Sequence, residues 1–327
     1  MDRLRIVVAL LTSVPAGVAA QDGPADGGVR RAVRVAVDND LFAVRGGGLP
    51  PDYDYTHGTR ATVAWGAAPG WLRTGGAGPP PGCRTAAARD AGCRAASLTV
   101  GQEIYTPRRD APAPVPGERP YAGWLHATGA AVDVRAGRAR SLAVTVGVTG
   151  PPSLARPVQD GVHRLMHNQP QLGWAHQLRA GTGVEVAYAE VRRRDRRVGG
   201  SGVAAVRGVW GATLGTLRAG LGVGAEGTLG LRGTRPWNPA EPEVERPPRA
   251  YLLAGVRQDW VARDAFVEGR GAQAGAVRRP LVRQAELGGG YRWRGLAVEY
   301  RHVVRGREYR AQPAAHAVGS VRVTVLR

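Results

Sequence analysis

The stretch RSLAVTVGVTG, residues 140–150, places Leu142, Val144, Val146 and Val148 on one face of an extended chain and Ala143, Thr145 and Gly147 on the other. A period of two belongs to a strand, because successive side chains leave a pleated backbone on opposite sides. The same alternation returns around residues 29–43, 58–68, 96–106, 123–135, 181–193, 203–215, 216–231, 249–263, 281–293, 295–308 and 316–327, which makes twelve predicted strands. Many approach the roughly ten residues that a tilted strand needs to cross a bilayer, and the number is even. Opposite the apolar faces stand Gly, Arg, Gln, Glu and Thr, where a two-sheet sandwich would need large apolar side chains. The fold class read from this pattern is all-β: a twelve-stranded antiparallel transmembrane β-barrel with a polar lumen.

The first residues, MDRLRIVVALLTSVPAGVAAQDG, set Arg3 and Arg5 before an apolar run from Ile6 to Val18, with small residues ending at Ala20. This is the pattern of a secretory signal peptide over residues 1–20, and the run is shorter than the roughly 18 to 20 residues of a spanning helix. Residues 21–327 show no break in composition, so they read as one barrel domain. The formal charge is +19 and every basic side chain is Arg, with no Lys. Part of that balance is the coding bias of a GC-rich genome; the rest favours an anionic partner, and for an exported protein phosphorylated lipid ahead of nucleic acid. Cys83 and Cys93, the two cysteines, lie in a Pro- and Gly-rich segment and suit a disulfide in an oxidising compartment.

With the N-terminus in the periplasm, the connections at 43–57, 106–122 and 149–180 open outward. The last contains VQDGVHRLMH, residues 158–167, which reads as two turns of helix with Val158, Val162 and Leu165 or Met166 as its apolar stripe. Gln159 and His163, at i and i+4, share one face of it. A short extracellular helix over the barrel mouth would hold an imidazole more rigidly than a mobile loop does. Taken alone, His163 reads more readily as a solvated surface histidine. His163 and His167 have a zinc-compatible spacing but lack the glutamate between them that the zincin pattern requires.

In VAVDNDLFAV, residues 35–44, Asp38, Asn39 and Asp40 gather oxygen donors suited to calcium, although Asp and Asn also serve at ordinary strand ends. Alternation sends Asn39 to the face opposite its neighbours unless the strand bulges or ends there. Thr56 and His57 start the second strand, across the hairpin from this cluster. Tyr121, Trp124, Trp174, Trp210, Trp260 and Trp293 read as an interfacial aromatic belt. GVGAEG, residues 222–227, fits a dinucleotide fingerprint but lies inside an alternating strand, which excludes that use.

In order along the chain, DNDLF (38–42), YTHG (55–58), GQEIYTP (101–107), RPYAGWL (119–125), GVTGP (147–151), Gln159 with His163, GWAHQL (173–178) and RGREY (305–309) resemble the lipid A 3′-O-deacylase (LpxR-type) family of Gram-negative outer membranes. The resemblance implies a calcium-dependent hydrolase at the extracellular rim of the barrel. It makes His163 the general base, puts Asn39, Asp40 and Thr56 in the catalytic set with Asp40 and Asn39 toward the Ca²⁺, and seats Gln159 beside the histidine. The implied substrate is lipid A within lipopolysaccharide, the implied location the outer membrane, and the implied partner in biogenesis the barrel-assembly machinery. His57 stands where the family usually has Asn, any lysine used at the rim is missing, and the chain ends VRVTVLR without the customary aromatic residue. An outer-membrane phospholipase of other specificity and a non-enzymatic pore or scaffold are the alternative readings.

Overall fold

All twelve strands form in a computed structural model of the chain, which describes residues 31–44, 53–65, 92–199, 202–231, 249–270 and 275–326. The expected signal peptide and Cys83 lie outside the described residues, while Cys93 is disulfide-bonded. The strands are β1 (Arg31–Asn39), β2 (Asp54–Trp65), β3 (Cys93–Thr106), β4 (Ala122–Arg135), β5 (Arg138–Thr149) and β6 (Gly181–Val198). Then follow β7 (Gly202–Gly215), β8 (Arg218–Leu231), β9 (Ala250–Asp264), β10 (Leu281–Trp293), β11 (Leu296–Arg305) and β12 (His316–Leu326). Each pairs antiparallel with its neighbours in sequence, and β1 pairs with β12, so the sheet closes without an edge. Arg31 and Leu326 lie at one rim, the turn rim. The opposite, loop rim carries the connections at 40–53, 107–121, 150–180, 216–217, 265–280 and 306–315.

The alternation read from residues 140–150 decides which side is which. Leu142, Val144 and Val146 are exposed on the outer surface, as are Val184 and Val186 beside them on β6. An apolar surface of this kind is stable facing lipid chains. The opposite faces fill the lumen. Arg301 bonds Glu299 at 2.7 Å, Glu226 at 2.9 Å and Glu286 at 3.1 Å. Arg207 pairs with Glu226, Arg322 reaches Glu299 at 3.0 Å, and Tyr251 donates to Glu299 at 2.5 Å. GVGAEG accordingly runs within β8, where Glu226 belongs to this network.

Nearer the loop rim an apolar plug crosses the lumen. Helix α2 (Ala265–Glu268), whose first turn is capped by the Asp264 side chain, inserts Phe266 against Tyr105 at 4.8 Å and Trp124 at 5.7 Å between ring centroids. Leu178 and Leu217 complete this cluster. Arg218 stacks on Trp124 at 4.5 Å and bonds Glu103 at 3.2 Å and Glu185 at 3.1 Å. The belt reading therefore needs correction for three aromatics. Tyr121, Trp124 and Trp174 are buried, Trp124 by packing against Phe266 and Arg218 and the other two by packing with a phenol or indole hydrogen bond, whereas Trp210, Trp260 and Trp293 are exposed on the outer wall.

The predicted helix also shifts. Helix α1 spans Ala155–Leu165, three residues earlier at its start than the apolar stripe suggests. It packs against the outer face of β3 and β4 instead of lying over the mouth. Trp124 points into the lumen, so its neighbour Gly123 points out, and a Cβ there would collide with Ser153 and Ala155. The missing side chain is what allows the helix to approach the wall.

A buried polar network ties the 306–315 connection to β2. Arg119 reaches Glu308 at 3.2 Å and Arg305 reaches it at 2.9 Å. Tyr309 and Gln312 donate to the Asp54 carboxylate at 2.9 and 2.8 Å. Burial alone would raise the Glu308 carboxyl, but the Arg119 and Arg305 guanidinium groups override it and hold it down at about 2.

Two outcomes follow for stability. Arg301→Ala takes its cation from Glu286 and leaves Glu226 to Arg207 and Glu299 to Arg322 alone, which should cost on the order of 3 kcal/mol, read as earlier loss of the folded, heat-modifiable band on gels. A carboxyl depressed on folding stabilises above its unfolded pKa of about 4.3 and loses that contribution as pH falls through the folded value. The Glu308 contribution should therefore fade only between about 4.3 and about 2, so thermal unfolding scans of wild type and Glu308→Gln should differ above that window and converge below it.

Candidate functional site on the outer wall

At the loop rim of β1 the pleat separates Asp38 from Asn39. Asp38 faces the lumen, where Arg60 pairs with it at 2.5 Å and the Tyr55 hydroxyl donates to it at 2.9 Å. Asn39 turns outward and ends the strand. Its Oδ1 accepts the Leu41 N–H at 2.8 Å and caps a 3₁₀ turn over Asp40–Phe42. Asp38, Asn39 and Asp40 thus do not form one cluster. The strand ends between them, and Asp38 belongs to the lumen.

The turn folds over the outer face of β12, where a Cβ on Gly319 would strike Phe42. The Tyr300 hydroxyl donates to the Phe42 carbonyl at 2.8 Å and fixes that direction. Asp40 is buried at 2% exposure, and its Oδ2 accepts the Tyr53 N–H at 3.3 Å across the hairpin.

On β2 the register slips between Tyr55 and His57, a bulge that leaves Thr56 as the extra residue. Tyr55 lines the lumenal cavity, while His57 is the ladder partner of Ile104 on the outer face. Thr56 reaches the Thr106 hydroxyl at 2.7 Å, two positions beyond Ile104 and on the same side. The bulge therefore lets consecutive residues, Thr56 and His57, serve the outer wall together, which strict alternation forbids. Asn39 Nδ2 donates to His57 Nδ1 at 3.2 Å, leaving the Nε2–H to donate to Thr59 at 2.8 Å.

Beside these residues stands α1. Ala155 packs with Ile104, Tyr121 and Trp174, and the Gln102 amide donates to the Ser153 carbonyl at 2.7 Å. One and two turns further on, Gln159 and His163 are each 4% exposed, on the covered face of the helix. The Trp174 indole donates to Gln159 Oε1 at 2.8 Å, and Gln159 Nε2 is buried with no protein partner. His163 Nδ1 lies 2.6 Å from the Gln169 carbonyl. A carbonyl accepts only, so Nδ1 carries a proton, and in the neutral ring the lone pair is on Nε2. His163 is not a solvated surface histidine.

The structure joins Asn39 of β1 to His57 of β2, with Asp40 in the turn that follows β1 and Thr56 beside His57, and sets Gln159 with His163 on α1. Ile104 bridges the two sets along the outer wall, contacting the helix on one side and pairing with His57 on the other. Trp174 and the Gln169 carbonyl, which orient the pair on α1, carry no sequence signal of their own. A tryptophan in a loop reads like any other interfacial aromatic, and a backbone carbonyl is common to every residue.

Asp40, Asn39 and Thr56 offer oxygen donors only: the Asp40 carboxylate accepts the Tyr53 N–H, the Asn39 amide oxygen accepts the Leu41 N–H, and the Thr56 hydroxyl bonds that of Thr106. Among the described residues no group of three or more His, Cys, Asp or Glu side chains converges. Oxygen donors of this type, one carboxylate with neutral oxygens, have the chemistry a hard cation takes.

A family model and one solved structure agree with this architecture. The sequence model of the family described as "Outer membrane protein LpxR" matches residues 4–326. A solved structure, LpxR from Salmonella typhimurium, superposes with a TM-score of 0.72 at 17% identity, over 90% of this chain and 100% of that one. The translocator domain of the autotransporter NalP from Neisseria meningitidis gives a TM-score of 0.41 at 12% identity, over 99% of this chain and 95% of that one. A search of the curated proteins finds no match. Matched by the family model over nearly its whole length and closed into twelve strands, the chain belongs to the LpxR family of outer membrane proteins.

Proposed function

We propose that this protein is an outer-membrane lipid A deacylase that hydrolyses the ester joining the acyloxyacyl group to the 3′ position of lipid A. The family supports the substrate class. The observation that carries the chemistry is the pair on α1, with His163 fixed by the Gln169 carbonyl at 2.6 Å and Gln159 fixed by Trp174 at 2.8 Å. A pore has no use for a buried histidine held by a backbone carbonyl outside its wall, and the lumen here is crossed by ion pairs and the Phe266 plug.

In this reading the loop rim faces the outside of the cell, where lipid A lies against the outer wall. His163 Nε2 takes a proton from water as the water oxygen attacks the ester carbonyl carbon. Gln159 Nε2 donates to the oxyanion that forms. The adduct then breaks its bond to the sugar O3′, which leaves with the proton held on His163 Nε2 and frees the acyloxyacyl acid. Asp40 and Asn39, with Thr56, would hold Ca²⁺, which when bound polarises the ester carbonyl. Rim arginines, among them Arg108 and Arg109, are suited to the lipid A phosphates. Export through a signal peptide over residues 1–20 and insertion by the barrel-assembly machinery belong to the same proposal.

Mass spectra of lipid A from cells expressing the protein should show loss of the 3′ acyl chains. His163→Asn should lower the rate by roughly 10²–10⁴-fold while the barrel still folds. Unchanged lipid A alongside altered phospholipids would instead support a phospholipase of other specificity. For the cation, calcium should raise the unfolding temperature of the purified wild type but not of Asp40→Asn, and chelator should abolish hydrolysis until calcium is restored. Full activity in excess chelator would remove the metal from the proposal.

A further inference from the structure

Far from α1, the outer wall changes character within one rung of the β5–β6 ladder. Descending toward the turn rim, the outward pairs are Val146 with Val184, Val144 with Val186, Leu142 with Tyr188, Arg140 with Glu190 and Arg138 with Arg192. Tyr188 packs on Trp210, the β7 partner of Glu190, with ring centroids 5.2 Å apart. An apolar strip, an aromatic pair and then charge is the sequence of environments from hydrocarbon to headgroup.

At that depth three guanidinium groups converge on one carboxylate. Arg138 reaches Glu190 at 2.5 Å, Arg192 at 2.9 Å and Arg140 at 3.4 Å. Glu190 is 2% exposed beneath them, whereas the Arg138, Arg140 and Arg192 side chains are 37%, 50% and 74% exposed. The carboxylate holds the forks in place but neutralises only one charge of the three. Arg138 Nε has no protein partner. What remains is a preorganised excess of guanidinium donors turned toward lipid, at the level where phosphates lie.

We propose that this patch is a binding site for the phosphate of an anionic glycerophospholipid, with the acyl chains along Leu142 and Val186 and the glycerol region against Tyr188 and Trp210. Arginine forks match phosphate oxygens in pairs, and the uncompensated charge selects an anionic headgroup over a zwitterionic one. On the orientation proposed above, this is the periplasmic leaflet, so the site is separate from the surface on which α1 lies and does not depend on the hydrolysis.

The test is native mass spectrometry of the delipidated full chain in detergent, titrated with phosphatidylglycerol and with phosphatidylcholine. Wild type should retain one phosphatidylglycerol, preferred over phosphatidylcholine by roughly fivefold or more. The variant Arg138→Gln/Arg140→Gln/Arg192→Gln should lose that preference, while Arg294→Gln, at the same rim but outside the patch, should keep it. If the triple variant does not fold, Arg192→Gln alone should reduce the preference, since Arg138 still secures Glu190. Equal retention of the two lipids, an unchanged preference in a folded patch variant, or complete displacement by millimolar glycerol 3-phosphate would overturn the proposal. Lipid A deacylation, measured separately, bears only on the catalytic reading.

Discussion

A strand in a closed barrel has two sides, and consecutive residues must take opposite ones. That constraint governs the whole molecule. It sends Leu142, Val144 and Val146 to the lipid and gives the lumen to Arg207, Arg301, Glu226 and Glu299, whose charges can be buried only in pairs. It also means that a constellation of adjacent polar residues on the outer wall cannot be built from regular strand. The protein breaks the pleat at two places to build one: β1 ends at Asn39 in a capped 3₁₀ turn, and β2 bulges at Thr56.

The consequence is a division of labour between wall and lumen. The lumen is structural, locked by arginine–carboxylate pairs and closed near the loop rim by Phe266 against Tyr105 and Trp124. The groups proposed to carry the chemistry lie outside, where the 3₁₀ turn covers β12 and α1 covers β3 and β4. Glycines make both approaches possible, Gly319 under Phe42 and Gly123 under Ser153 and Ala155. A substrate held in the membrane can approach such a surface sideways, without entering the barrel.

The high arginine content now has distinct uses. Arg301 and Arg218 hold carboxylates inside the lumen, Arg119 and Arg305 secure Glu308 at the rim, and Arg138, Arg140 and Arg192 gather around Glu190 on the outer wall. Net charge pointed to an anionic partner. It could not separate these roles, because an arginine that pairs inside and one that faces a headgroup look alike in the chain.

Alternation alone determined the class of fold, the number of strands and the sidedness of nearly every one, since a period of two is a local property that survives any tertiary arrangement. Short motifs marked Asn39, Asp40, Thr56, Gln159 and His163 as residues of interest. Only the tertiary structure decided that Asp38 leaves that set for the lumen, that the helix lies against the wall and not over the mouth, and that Trp174 orients Gln159 instead of joining the aromatic belt. Each of these turns on a strand end, a bulge or a contact between segments distant in the chain. Such features are fixed by packing and hydrogen bonding between elements, which the order of residues within any one element does not contain.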